Sequence, residues 1–112
     1  MIDISIINAT VVNEGLVEEA DLYIKNGRIE KISSGLDPQG EVIDASDLFL
    51  FPGVIDDQVH FREPGLTHKG NIQSESMAAV AGGTTSYMDM PNVLPPTLTQ
   101  DLWEKKNNIA SI

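Results

Sequence analysis

The densest chemistry in the sequence lies in D-D-Q-V-H-F-R-E-P-G, Asp56 to Gly65. Alternate residues of a strand point to one side, so Gln58, His60 and Arg62 project together if the strand runs that far. A neutral imidazole there is a natural zinc ligand. Two residues on, the guanidinium fork of Arg62 matches a carboxylate through two parallel hydrogen bonds. Pro64-Gly65 then turns the chain away. The same residues also satisfy a reading without chemistry, with His60 a structural histidine and Arg62 a solvated loop residue. The second histidine, His68, falls in a predicted loop, where exposure is the plain expectation. Lys69 beside it and Asp89, near the end of a later strand, carry no assigned role.

Composition bounds what this chemistry can serve. The chain has 112 residues, 41% of them hydrophobic, enough for a small core. It has no cysteine, so disulfides and thiolate metal sites are excluded, and a cytoplasmic location is compatible. The start M-I-D-I-S-I-I-N lacks the basic residues and long apolar run of a signal peptide. No apolar stretch approaches the roughly 20 residues that span a bilayer. Seventeen acidic against seven basic residues give a formal charge of −10. Nucleic acid and anionic membranes both need a basic surface, so neither is expected as a partner.

The elements that must position these residues differ between residues 1–50 and 51–112. Met1–Val12 is rich in Ile and Val. Asp21–Lys25 and Arg28–Ser33 alternate apolar and polar around Asn26-Gly27, a pair suited to a two-residue hairpin because both positions take φ > 0. Leu22, Ile24, Ile29 and, after a shift in phase, Ile32 are predicted on one side. A loop over Gly35–Gly40 precedes a strand at Glu41–Asp44. Polar positions alternate here as solvent-facing strand positions should, so this half reads as scaffold.

In the second half a strand is predicted from Val54. The spacing predicts a helix over Ile72–Ala81, with Met77 and Val80 beside its apolar face and Gly82-Gly83 as its stop. Thr84–Met90 reads as a strand. Thr99 caps a last helix whose apolar face holds Leu102, Trp103, Ile109 and Ala110. Trp103 reads as core, and Met77, Met88 and Met90 as packing residues. Strand, helix, strand, helix implies parallel strands joined by right-handed crossovers. Two such units cannot close a barrel, so the chain reads as the beginning of a larger protein. Its open sheet edges and apolar helix faces call for a homo-oligomer or for association with the rest of a barrel.

P-G-V-I-D-D-Q-V-H-F-R-E-P-G-L-T-H-K, followed by A-A-V-A-G-G-T-T and M-D-M-P-N, resembles the N-terminal part of a dihydroorotase. More broadly it is similar to the amidohydrolases that open cyclic amides. R-E-P-G with M-P-N is the specific part; Gly-Gly-Thr-Thr is shared with allantoinases and dihydropyrimidinases. The resemblance implies an α/β fold: the start of an amidohydrolase-type (β/α)8 TIM barrel, with residues 51–112 as its first two β/α units. Residues 1–50 would be the N-terminal part of a small β-sandwich domain preceding it.

The resemblance also implies roles. The family's first strand supplies an H-x-H pair to a zinc centre; its second histidine falls on His60 and its first on Gln58. The carboxylate-binding arginine falls on Arg62 and a substrate-binding asparagine on Asn92, while Asp56 matches a supporting acidic residue. The implied reaction interconverts dihydroorotate, a small anionic cyclic amide, and N-carbamoyl-aspartate in pyrimidine biosynthesis. A zinc-bound hydroxide, made available by the metal's effect on its water, would attack the ring amide.

Two departures bear on these expectations. Gln58 offers a neutral, hard amide oxygen where imidazole nitrogen suits zinc better. The family's bridging lysine, later histidines and acid–base aspartate come from later strands, so no catalytic residue is assigned here and the chain alone is expected to be inactive. Two other readings stay open. One is a non-catalytic dihydroorotase-like scaffold partnering aspartate transcarbamoylase, which Gln58 favours. The other is a related hydrolase of allantoin, hydantoins or dihydropyrimidines; Arg62, suited to an anion, speaks against it.

Overall fold

The Ile- and Val-rich opening forms β1 (Ile4–Asn13), to which three other strands are tied in a computed structural model that describes residues 1–111. β2 (Leu16–Lys25) pairs with it antiparallel, while β4 (Glu41–Asp44) and β5 (Phe49–Leu50) run parallel to it. β3 (Arg28–Ser33) continues the sheet from β2, giving the order β3-β2-β1-β4 with β5 also on β1. These strands make up a first unit, Met1–Pro52; a second begins at Gly53.

The Asn26-Gly27 hairpin is present, with φ of 51° and 69° and Lys25 opposite Arg28. A second hairpin turns at Glu14-Gly15, which also take positive φ, 50° and 80°. The sequence reading missed it because Glu is an unusual choice for a left-handed turn position. The predicted phase shift is a register irregularity between Tyr23 and Ile24, which brings Leu22 opposite Ile32 and Ile24 opposite Ile29. Ile29 and Ile32 nonetheless stay exposed.

The buried core of this unit is small: Ala9, Val11, Ala20, Leu22 and Ala45, with Ile6 and Leu50 against it. Polar ties supplement it. β1 bulges between Ile6 and Ala9, where Asn8 takes φ 60° and donates its N–H to Asp21 Oδ1 at 2.8 Å. Asp21 Oδ2 accepts from Leu36 N at 2.9 Å, so one carboxylate holds both a strand bulge and the loop after β3. Ser5, fully buried, donates to Gln39 O at 2.6 Å and accepts from Gln39 N at 2.8 Å.

In the second unit β6 (Val54–Val59) and β7 (Thr84–Asp89) pair in parallel, connected through α1 (Ile72–Ala81) and followed by α2 (Gln100–Ala110). α1 starts at a capping box: Asn71 Oδ1 accepts from Ser74 N, and Ser74 Oγ in turn lies within reach of Asn71 N. Thr99 caps α2 as its spacing predicts. Two packing expectations are corrected. Trp103 is 58% exposed rather than core, and Met77 and Met88 are exposed rather than packed; Val54 and Ile55 of β6 are exposed as well. The physical reason is shared: parallel strands need cover on both faces, and two β/α units supply too little of it. No helix among the described residues is long and apolar enough to cross a membrane.

Hydrogen bonds from Asn8 N, then from Leu36 N and Gly35, lower the pKa of Asp21, outweighing the opposing effect of burial. A depressed carboxylate contributes stability that is present above its unfolded pKa of about 4 and lost as pH falls through the folded value. Asp21→Asn should therefore lower stability at pH 7 by about 1–2 kcal/mol. It should also flatten the loss of stability below about pH 4, as read from urea midpoints measured against pH.

Candidate active site

Phe61 sets the geometry after β6. Its side chain is 5% exposed, and its ring meets Tyr87 of β7 at 4.5 Å between centroids, tilted by 58°. Tyr87 is tied to α1 through a 2.9 Å contact between its hydroxyl and Ser76 Oγ. The backbone N–H of Phe61 donates to Asp89 Oδ1 at 3.1 Å. One inward aromatic side chain and one backbone bond thus hold the strand end between His60 and Arg62.

Burial of Phe61 also breaks the expected row. β6 ends at Val59, and Arg62 takes φ 69°, so Gln58, His60 and Arg62 do not form one continuous strand face. A left-handed arginine is uncommon and is held by the turn that follows. Leu66 N donates to Arg62 O at 3.1 Å, and Glu63 Oε2 accepts from Ile72 N, the first residue of α1, at 2.9 Å. Glu63 thereby satisfies one of the orphan donors of α1 and places negative charge at its positive end.

The ladder beyond β7 brings the second motif alongside. Met90 N donates to Val59 O at 2.9 Å, and two residues later Asn92 Oδ1 lies 2.9 Å from His60 Nδ1. An amide oxygen only accepts, so His60 carries its proton on Nδ1 and keeps Nε2 as the free acceptor. Asn92 keeps its Nδ2 amide for another partner. Leu94 N donates to Pro64 O at 3.0 Å and closes the two loops on each other. Gly65 permits this approach: its φ is 82°, and a Cβ there would sit 2.0 Å from Leu94 O.

The structure brings His60 and Asn92 together, with Arg62 two residues along the same loop. Gln58 is exposed, and its backbone N–H donates to Asp56 Oδ1 at 3.1 Å. His68 and Lys69 are exposed. Among the described residues no three His, Cys, Asp or Glu side chains converge. The chain therefore does not fit a complete zinc centre. What fits is one ligand: His60 Nε2, its ring oriented through Nδ1 as metal-binding histidines commonly are. A cleft of about 380 Å³ lined by Phe61, Tyr87, Trp103 and Lys106 is not this site, since neither His60, Arg62 nor Asn92 lines it.

Sequence reading left Asp89 without an assigned role and passed over Lys106 and Glu63. Asp89 Oδ2 is 2.7 Å from Lys106 Nζ, an ion pair whose side chains are each 11% exposed. It is a charge contact rather than an aligned hydrogen bond, because Oδ2 has no partner of regular hydrogen-bond geometry. Lys106 Nζ also reaches Met90 O at 3.3 Å. Glu63, the cap of α1, lies nine residues before its partner, and no local pattern links them.

No family model matches the chain. An allantoinase of Bacillus velezensis is 40% identical over 110 residues, 96% of this chain and 24% of its own length. A dihydroorotase of Aquifex aeolicus is 47% identical over 85 residues, 75% of this chain and 20% of its own length. The solved L-hydantoinase (dihydropyrimidinase) of Arthrobacter aurescens superposes with a TM-score of 0.92 at 34% identity, over 98% of this chain and 25% of its own. This chain is homologous to the N-terminal part of cyclic amidohydrolases. It spans about a quarter of the length of the relatives it matches. Those relatives carry names for several different rings, so cyclic amidohydrolase is the level at which they agree.

In this cyclic amidohydrolase homologue the close packing at Gly65 holds the Asn92 loop against the His60 loop. Gly65→Ala should force them apart, destabilising the unit by about 1–3 kcal/mol. Hydrogen exchange should show the Leu94 amide losing protection while the α1 amides keep theirs.

Proposed function

We propose that the complete protein interconverts a carboxylate-bearing cyclic amide and its open form, with dihydroorotate and N-carbamoyl-aspartate as substrate and product. The observation that carries this reading is the His60–Asn92 pair at 2.9 Å beside Arg62, at the C-terminal ends of two parallel strands. Parallel β/α units place their active sites at that end. Together with the hydantoinase likeness, this supports a (β/α)8 barrel in the complete protein, with Met1–Pro52 as part of a β-sandwich.

In ring opening, water adds to the amide carbonyl carbon, the ring C–N bond breaks and the nitrogen takes a proton. Arg62 grips the ring carboxylate, and the free Nδ2 amide of Asn92 donates to substrate. His60 offers Nε2 as one zinc ligand. Gln58 is a poor second, so the remaining ligands and the groups that activate water come from outside this chain. The isolated chain is accordingly inactive and associates with itself or with the rest of a barrel through the exposed β6–β7 faces.

Two second readings follow from particular observations. The allantoinase and hydantoinase relatives favour an uncharged ring. Gln58, in place of a histidine, favours a non-catalytic scaffold. Assays of the complete protein on dihydroorotate, allantoin and dihydrouracil separate all three. Dihydroorotate turnover is expected, and Arg62→Met should lower its kcat/KM about 100-fold. Turnover of allantoin or dihydrouracil alone would replace the proposal with the uncharged-ring reading, and no turnover at all would leave the scaffold. The 112-residue chain alone should sediment as an associated species and show no turnover.

A further inference from the structure

An ion pair between β7 and α2 contacts the backbone on either side of the His60–Asn92 pair. Asp89 closes β7 and Lys106 lies on α2, and the two meet at 2.7 Å with both side chains 11% exposed. Each also holds a backbone atom close to the pair. Asp89 Oδ1 accepts from Phe61 N at 3.1 Å, the peptide immediately after His60. Lys106 Nζ reaches Met90 O at 3.3 Å, two residues before Asn92.

We propose that Asp89 and Lys106 are positioning residues that act through Phe61 and Met90 to hold His60 and Asn92 in register. The proposal deepens the reading of His60 and Asn92 as site residues and rests on it. An ion pair this far from solvent is retained at a desolvation cost, and its worth here lies in geometry. The two loops leave the ends of separate strands, and the main-chain bonds between them, Met90 N to Val59 O and Leu94 N to Pro64 O, flank the pair without including it. Between those bonds a side-chain contact of 2.9 Å requires both backbones to be fixed to within about 0.5 Å. Asp89 fixes one and Lys106 the other, and the ion pair couples them through α2. One of the two residues that hold the pair, Lys106, thus comes from a helix that contributes nothing to the pair itself.

The His60 tautomer reports this arrangement without any assay of activity. The chain has only two histidines, and exposed His68 serves as the internal reference. Two-bond and three-bond ¹H–¹⁵N correlations on the ¹⁵N-labelled chain, in alkaline buffer where imidazole is neutral, distinguish Nδ1–H from Nε2–H. Wild type should show His60 mainly as Nδ1–H and His68 mainly as Nε2–H. Asp89→Asn and Lys106→Met should each shift His60 to the His68 pattern with the helical circular dichroism kept, and Lys106→Arg should restore Nδ1–H. If wild-type His60 already matches His68, the His60–Asn92 reading itself fails. If wild type shows Nδ1–H and the folded variants keep it, the positioning role is overturned. Loss of helical signal in both Asp89→Asn and Lys106→Met would also overturn it, by making the pair a general strut of the unit.

Discussion

Burial of Phe61 is the constraint on which the second unit depends. An aromatic side chain directed inward between two polar neighbours ends β6, starts the loop and seats the chain against Tyr87. With Phe61 inside, His60 and Arg62 are left on the loop surface, and the carboxylate of Asp89 can reach the Phe61 N–H. Burying such a ring stabilises by about 1.5–3 kcal/mol, more than a neutral hydrogen bond and comparable to one made to a carboxylate. The polar contacts complete a geometry that apolar burial begins.

The two units solve the problem of a small core differently. The first uses alanines at the centre of its sheet and adds polar ties, with Asp21 and Ser5 each bonded to backbone from two directions or twice over. The second buries few residues and leaves Ile55, Met77, Val80 and Trp103 exposed. A parallel sheet with apolar residues on view is unusual for a finished domain and fits a chain that spans a quarter of its relatives. The first unit exposes apolar side chains as well, among them Ile29, Ile32 and Phe49.

Motif chemistry and structural support are interleaved in R-E-P-G. Arg62 is the anion clamp of the proposed reaction, whereas Glu63 caps α1 and Gly65 allows Leu94 to approach. A four-residue signature that reads as one functional motif thus divides into one residue proposed for substrate and at least two that serve architecture. The same holds at M-D-M-P-N, where Asn92 meets His60 while Asp89 and Met90 take up backbone and ion-pair contacts.

The sequence by itself determined the local elements and the identity of the chemical groups. Asn26-Gly27 set its hairpin, Thr99 its helix start, and Gly82-Gly83 the end of α1, because turn and cap preferences act over a few residues. His60, Arg62 and Asn92 were singled out from residue type and motif resemblance. Only tertiary structure decided that Arg62 leaves the strand register, that Nδ1 of His60 faces Asn92, and that Glu63, Asp89 and Lys106 support the site. Those outcomes depend on which distant backbone atoms come within 3–4 Å of a side chain, as Asp89 does with Phe61 across 28 residues. No local periodicity encodes such a distance. The exposure of Trp103 belongs to the same class, since an apolar face is buried only where another element arrives to cover it.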